Sequence, residues 1–272
     1  MSKVQDSAPV ADTAPESSTA RGRPARGRRA GPGRPEGTSN VRDQILDAAE
    51  LEFANLGYAG TSLRNVADRA EVTQALISYY FGSKHGLFEE VFLRRGRKIA
   101  DERMERLEAL RRGPAPPPVR DIVYAFLMPA LAMRETEGGR TFMRLQARLH
   151  TEPPEISYKL RNEAYDASTR IFAAALKEAL PHLSERDVYW RMTLMIGAYL
   201  YAFSDTHRLE ELAPGICNPG DPDEIITEIS SFVSAGMLAP VPEPARAPGR
   251  PPGGGAPGGG EPLAPGPPPA PG

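Results

Sequence analysis

Residues 61–87, TSLRNVADRAEVTQALISYYFGSKHGL, hold two apolar periodicities of helical pitch so close together that only a tight turn fits between them. Leu63, Val66, Ala67 and Ala70 recur on one face of a first short helix, about Leu63 to Ala70. Thr61 or Ser62 can cap it by accepting a hydrogen bond from an orphan backbone N–H. After Glu71 and Val72, Thr73 offers a second cap, and Leu76, Ile77, Tyr80 and Phe81 carry an apolar face as far as Gly82, which breaks it. Two short helices joined by a turn of three or four residues let the second lie in a DNA major groove about 12 Å wide while the first braces it across the backbone. Gln74, Ala75 and Ser78 then occupy the outward face of the second helix, near its N-terminal end.

The side chains on that face suit base and phosphate contact. Arg64 can bond base edges or phosphate, Gln74 can pair bidentately with adenine, Ala75 can meet a thymine methyl, and Lys84 can neutralise a phosphate. Thr73 and Ser78 flank this set, and Tyr79 and Tyr80 can add hydroxyl contacts to the DNA backbone. Tyr80 reads equally well as a core aromatic.

Thr61-Ser62-Leu63-Arg64, Ala67-Asp68-Arg69-Ala70, Val72-Thr73, Tyr79-Tyr80-Phe81, Ser83-Lys84 and Leu87 together resemble the DNA-binding half of the TetR-type transcriptional repressors. The likeness spans about Val41 to Val91. It implies that Arg64, Gln74, Ala75, Tyr79, Tyr80 and Lys84 are the DNA-contacting positions, with Ser62 meeting a phosphate at the start of the first of the two short helices. The chain departs from the family pattern at Glu71, where the family usually has Gly, and at Tyr80, where it often has His. A fainter likeness, through Trp190-Arg191-Met192, Met195-Ile196-Gly197-Ala198 and Ala235-Gly236-Met237, is to the fatty-acid-responsive sub-group.

Charge is unevenly placed. Residues 21–39 carry six Arg against one Glu, residues 40–112 balance twelve against twelve, and residues 113–238 carry twelve basic against seventeen acidic side chains. A basic end on an otherwise acidic chain suits a partner that is a phosphate polyanion. The single Cys217 excludes an internal disulfide and any zinc site built from several Cys, which points to a reducing compartment and a cytoplasmic protein. The longest apolar run, Met192 to Phe203, is far below the roughly 20 residues needed to cross a bilayer. His85, His150, His182 and His207 lie in no metal spacing, and there is neither a Gly-rich phosphate loop nor a nucleophile elbow, so no cofactor, metal or catalysis is expected.

In order, residues 1–39 read as a disordered basic arm too poor in large apolar side chains to fold. Arg21-Gly22-Arg23-Pro24 resembles an AT-hook core and Gly33-Arg34-Pro35 half-repeats it, so Arg21, Arg23 and Arg34 are candidates for minor-groove or phosphate contact. That arm supports an alternative reading, an architectural minor-groove DNA-binding protein. Residues 40–87 then form a three-helix head, its first helix running from about Asn40 to Leu56 with Gly57 as its stop signal. A long helix from Ser83-Lys84 to about Arg112 joins the head to a helical body at 88–238, with helices at about Val119–Arg134, Gly139–His150, Glu155–Leu180, Ser184–Leu209 and Asp223–Met237. Residues 239–272, almost pure Pro, Gly and Ala, read as a disordered tail.

The expected fold is all-α, an N-terminal helix-turn-helix domain carried by a long helix on a ligand-binding and dimerisation domain. Phe126, Met143, Tyr165, Trp190, Met195 and Tyr199 are the candidate lining for an apolar effector of unknown identity, although ordinary core accounts for them too. The stretch Val188–Phe203 is apolar nearly all round and Asp223–Met237 has one sharp stripe, so Leu194, Ile225, Ile229, Phe232 and Val233 are candidates for a homodimer interface. A dimer would fit paired half-sites of a double-stranded operator about one helical turn apart.

Overall fold

The computed structural model of the chain describes residues 36–113, 115–204 and 207–241. The candidate arm residues Arg21, Arg23 and Arg34, and the tail from residue 242 onward, lie outside the described residues. The chain divides into two compact units, Met1–Val41 and Arg42–Gly272. The former is described only at the opening of the first helix, and the latter holds all the other described residues.

Every regular element among the described residues is helical. Helix α1, Glu36–Gly60, starts four residues before Asn40, and its regular path breaks at Gly57, whose φ of 73° only glycine adopts without strain. The short helices α2, Leu63–Arg69, and α3, Gln74–Phe81, come next, and α4 runs unbroken over Lys84–Arg111. Its 28 residues span about 42 Å at the usual rise of ~1.5 Å each. The body consists of α5 (Val119–Met133), α6 (Glu137–Leu149), α7 (Pro154–Arg161), α8 (Ala167–Ala179), α9 (Glu185–Phe203), α10 (Arg208–Leu212) and α11 (Pro222–Leu238).

Two expected helices are subdivided. The stretch Glu155–Leu180 carries a π turn, Asn162–Asp166, between α7 and α8. Gly96 of α4 makes room for it, since a Cβ there would stand 3.1 Å from both the Ala164 Cβ and the Tyr165 hydroxyl. The stretch Ser184–Leu209 stops at Phe203 with Ser204 as cap, and a separate short helix, α10, starts at Arg208.

Helix α5 lies between α4 and α11, and α11 also packs on α9, which in turn covers α6 and α8. Pro129 sits inside α5, where it cannot donate to the carbonyl of Ala125. In the head, Phe53 of α1 meets Phe88 of α4 edge to face at 4.8 Å between ring centres, and Tyr58 meets Phe88 at 5.2 Å. Burying Phe53 and Phe88 completely contributes about 1.5–3 kcal/mol each.

Candidate functional site

Each helix of the reading unit begins with a satisfied cap. Ser62 Oγ accepts from the Asn65 N–H at 3.1 Å, Thr73 Oγ1 from the Leu76 N–H at 3.3 Å, and Ser83 Oγ from the Gly86 N–H at 3.1 Å. Between α2 and α3 the Val72 N–H bonds back to the Ala67 carbonyl at 3.0 Å, a closure that requires a left-handed residue just past the helix. Glu71 supplies it, with φ of 52°. This is the position where the resemblance leads one to expect Gly, and a side chain there carries strain of about 1–2 kcal/mol.

Helix α3 buries Ile77 and Phe81 and turns Thr73, Gln74, Ala75, Ser78 and Tyr79 outward. Tyr79 is 81% exposed, an aromatic ring left in water by the head's own packing. Tyr80 is half-buried and stacks edgewise on Tyr79 at 5.4 Å. Ser62 and Arg64 lie exposed on the adjoining α2, where Arg64 pairs with Asp68 at 3.8 Å. Lys84 has a structural engagement that the sequence did not suggest. Its ammonium donates to the Thr61 carbonyl at 2.7 Å and stands 4.5 Å over the Tyr58 ring, tying α4 to the end of α1. The same ammonium reaches the Ala59 carbonyl at 3.4 Å, so at most one of its three donors is left for a phosphate.

The head is bolted to the body by charge. Buried Glu50 of α1 accepts from Arg95 Nε at 2.6 Å and from Arg94 at 3.3 Å, and Arg94 also meets Asp47 at 2.7 Å. Burial pushes the Glu50 carboxyl above its ordinary range, with Arg95 and then Arg94 pulling it back. From α6, Arg148 donates to the Ala54 and Asn55 carbonyls at 3.2 and 3.0 Å, a cation on the carboxyl end of α1, while Glu152 accepts from the Tyr58 N–H at 2.9 Å.

The candidate effector residues separate into two groups. Phe126, Met143, Met195 and Tyr199 are buried, and Tyr165 buries its hydroxyl. Phe126, Tyr165 and Tyr199 surround one side chain that the sequence alone leaves among solvated charges, Arg103 of α4. Its register was the available signal, since it repeats the buried stripe at Ile99 and Leu107. Trp190 does not belong with this group. It is 56% exposed on the outer side of α9, because the turn of that helix that faces the core is taken by Val188 and Met192. An open cavity of about 760 Å³ lies on the far side of α5, lined by Tyr124, Met128, Leu131, Tyr201, Ile226 and Ile229 among others. None of the six candidate effector residues lines it.

The candidate dimer residues also divide. Ile225, Ile229 and Val233 are buried within their own chain, where α11 meets α5 and α9, and so are core rather than interface. Leu194 and Phe232 point away, 67% and 74% exposed. Trp190 and Tyr201 on α9 continue the same apolar face, and Gly197 and Gly236 have open space where a Cβ would stand. Among the described residues no cluster of His, Cys, Asp and Glu is placed to hold a metal ion, and no helix is long and apolar enough to cross a membrane.

A capped helix pair with an exposed polar face, set on a long helix and an all-helical body, defines the helix-turn-helix class of regulator. The family model for bacterial regulatory proteins of the tetR family matches residues 45–91, and the tetracyclin repressor-like C-terminal domain matches residues 124–236. The chain belongs to the TetR family of transcriptional regulators, whose members matched here are regulators and not enzymes. It is 46% identical over 48 residues to the HTH-type transcriptional regulator BetI of Paraburkholderia xenovorans, a match covering 18% of this chain and 25% of that one. The chain thus spans about a quarter of the length of the curated relatives it matches. Among solved structures, a TetR family transcription regulator from Shewanella sp. PV-4 aligns with a TM-score of 0.51 at 19% identity, over 71% of this chain and 95% of that one. The fatty acid degradation regulator FadR from Bacillus halodurans aligns with a TM-score of 0.54 at 15% identity, over 72% and 98%. At such identities the likeness is one of fold.

Proposed function

We propose that this protein is a homodimeric cytoplasmic repressor that leaves its operator when a small apolar or acyl-type effector binds. Residues 40–87 act as the reader and residues 88–238 as the effector-binding and dimerisation body. The observation that carries the proposal is the outward row Thr73, Gln74, Ala75, Ser78 and Tyr79 on a helix capped by Thr73 and set between two further capped helices, with Ser62, Arg64 and Lys84 beside it. The row is short enough for one major groove, and its chemistry is that of base edges and phosphates. A second copy seated on the Leu194–Phe232 face sets two readers side by side. Effector binding favours a body conformation in which the two readers no longer match their half-sites, and release follows from that differential affinity.

The test is affinity for DNA upstream of the protein's own coding region and for random DNA, measured by fluorescence anisotropy at one salt concentration. Gln74→Ala should cost about 1–3 kcal/mol at the specific site and little on random DNA, because a base contact is lost while phosphate contacts remain. Equal loss on both DNAs would mean that α3 does not read sequence.

A further inference from the structure

Arg103 is a buried cation with no anion beside it. It is 1% exposed, and among the described residues it takes part in no ion pair. Its guanidinium lies 3.6 Å over the Phe126 ring and 5.5 and 5.8 Å from the rings of Tyr199 and Tyr165. Nε donates to the Phe126 carbonyl at 2.8 Å, while Nη2 is buried with no acceptor. The same shell holds two more unmatched polar atoms, the Tyr165 hydroxyl and Gln146 Oε1, although Gln146 Nε2 does reach the Tyr199 hydroxyl at 3.0 Å.

Buried charges are ordinarily paired, because an isolated ion in an apolar medium is expensive and its removal stabilises the fold. A stacking strut between α4 and α5 would account for the contact with Phe126. It would not account for a charge kept without a counter-ion, nor for three unmatched polar atoms in one shell.

We propose that Arg103 anchors the carboxylate of an apolar ligand, which enters the core between α4, α5, α6 and α9 and gives Arg103 Nη2 the acceptor it lacks. One positive charge among aromatic rings matches one carboxylate; a phosphate dianion would need further cations, and the shell has none. Tyr165 remains a neutral donor, since burial holds its hydroxyl pKa well above the ordinary value. Phe172, whose ring stands 5.2 Å from Phe126, and the buried Met143 and Met195 are the apolar groups available to the ligand's tail. Helix α5 is the wall between Arg103 and the open cavity, with Phe126 on one side and Tyr124, Met128 and Leu131 on the other. Pro129 removes one of that wall's hydrogen bonds and makes it the part that can yield. Arg103 lies on the same unbroken helix that begins at the reading head, so a pull on it reaches the DNA-binding face directly.

This site rests on the proposed effector response, and the experiment separates the two. Octanoate through hexadecanoate, and the primary alcohol of each chain length, are titrated calorimetrically into the full chain and into Arg103→Met, with operator release followed separately by anisotropy. The wild-type chain should bind at least one acid tenfold or more tightly than its alcohol. Arg103→Met should bind the two alike and, without ligand, melt no lower than wild type. If no acid outbinds its alcohol on the wild-type chain, or if the preference survives in Arg103→Met, the site is overturned; the wild-type comparison decides this even if the variant does not fold. Acid binding that depends on Arg103 but leaves the operator occupied supports the site and refutes the effector response. Release by acids and alcohols with equal affinity supports that response and overturns the site.

Discussion

The reading head and the body core are built on opposite terms. In the head α2, α3 and α4 each start with a cap, buried Glu50 has two guanidinium partners, and the Lys84 ammonium closes the junction of α1 and α2. In the body a fully buried Arg103 keeps an Nη2 without an acceptor, and the α9–α11 face leaves large apolar side chains in water. A network of caps and ion pairs is rigid, and rigidity is what presenting a row of side chains to a groove requires. A core with unmatched groups is a structure that something else completes, and the body has two such places, one internal and one on its surface.

The largest expected effect concerns the surface one. Leu194→Glu with Phe232→Glu should turn a dimer into monomers, because each buried apolar side chain is worth about 1.5–3 kcal/mol and twofold symmetry counts both residues twice. Equilibrium sedimentation should show half the mass, and specific DNA affinity should fall by well over tenfold. Ile229→Ala should instead lower stability, since that side chain is its own chain's core. An unchanged mass for the double variant would place the interface elsewhere.

Next in size is the joint between the two regions. Arg95→Met leaves the Glu50 charge with Arg94 alone and should destabilise by about 3 kcal/mol at neutral pH. The sign with pH is set by Glu50. Its folded pKa lies above its unfolded one, so its contribution is most favourable below the unfolded value and is lost as pH rises through the folded value. Removing Arg95 raises the folded value further. The deficit of Arg95→Met should therefore shrink between neutral pH and an acidic pH at which Glu50 is protonated. Melting temperatures of both proteins at the two pH values check this, and a deficit independent of pH would show that Arg95 acts through packing alone.

The smallest effect is the one strained place in an otherwise matched head. Glu71→Gly should raise stability by about 1 kcal/mol by relieving the left-handed backbone that closes α2 against α3. Chemical denaturation would detect it as a shift in midpoint at constant slope. A loss of stability would mean that the Glu71 side chain contributes more than its backbone costs.

What was legible in the sequence alone is local. Ser62, Thr73 and Gly82 mark the ends of α2 and α3 because a cap acts within one helical turn, and the spacing of Leu63, Val66, Ala67 and Ala70 shows which face of α2 turns inward. The family resemblance rests on the same residues. A helical period shows that a helix has an apolar side, but not which neighbour that side meets. That is why Ile225, Ile229 and Val233 read like Phe232 on one stripe, and only the packing of α11 against α5 and α9 separated core from open face. Arg103 is the sharper case. In sequence it is one charge among many on a long helix; it is buried because Phe126, Tyr165 and Tyr199, from distant parts of the chain, close around it. Burial is a property of assembled helices, so tertiary structure alone decided which buried charge among the described residues stands without a counter-ion.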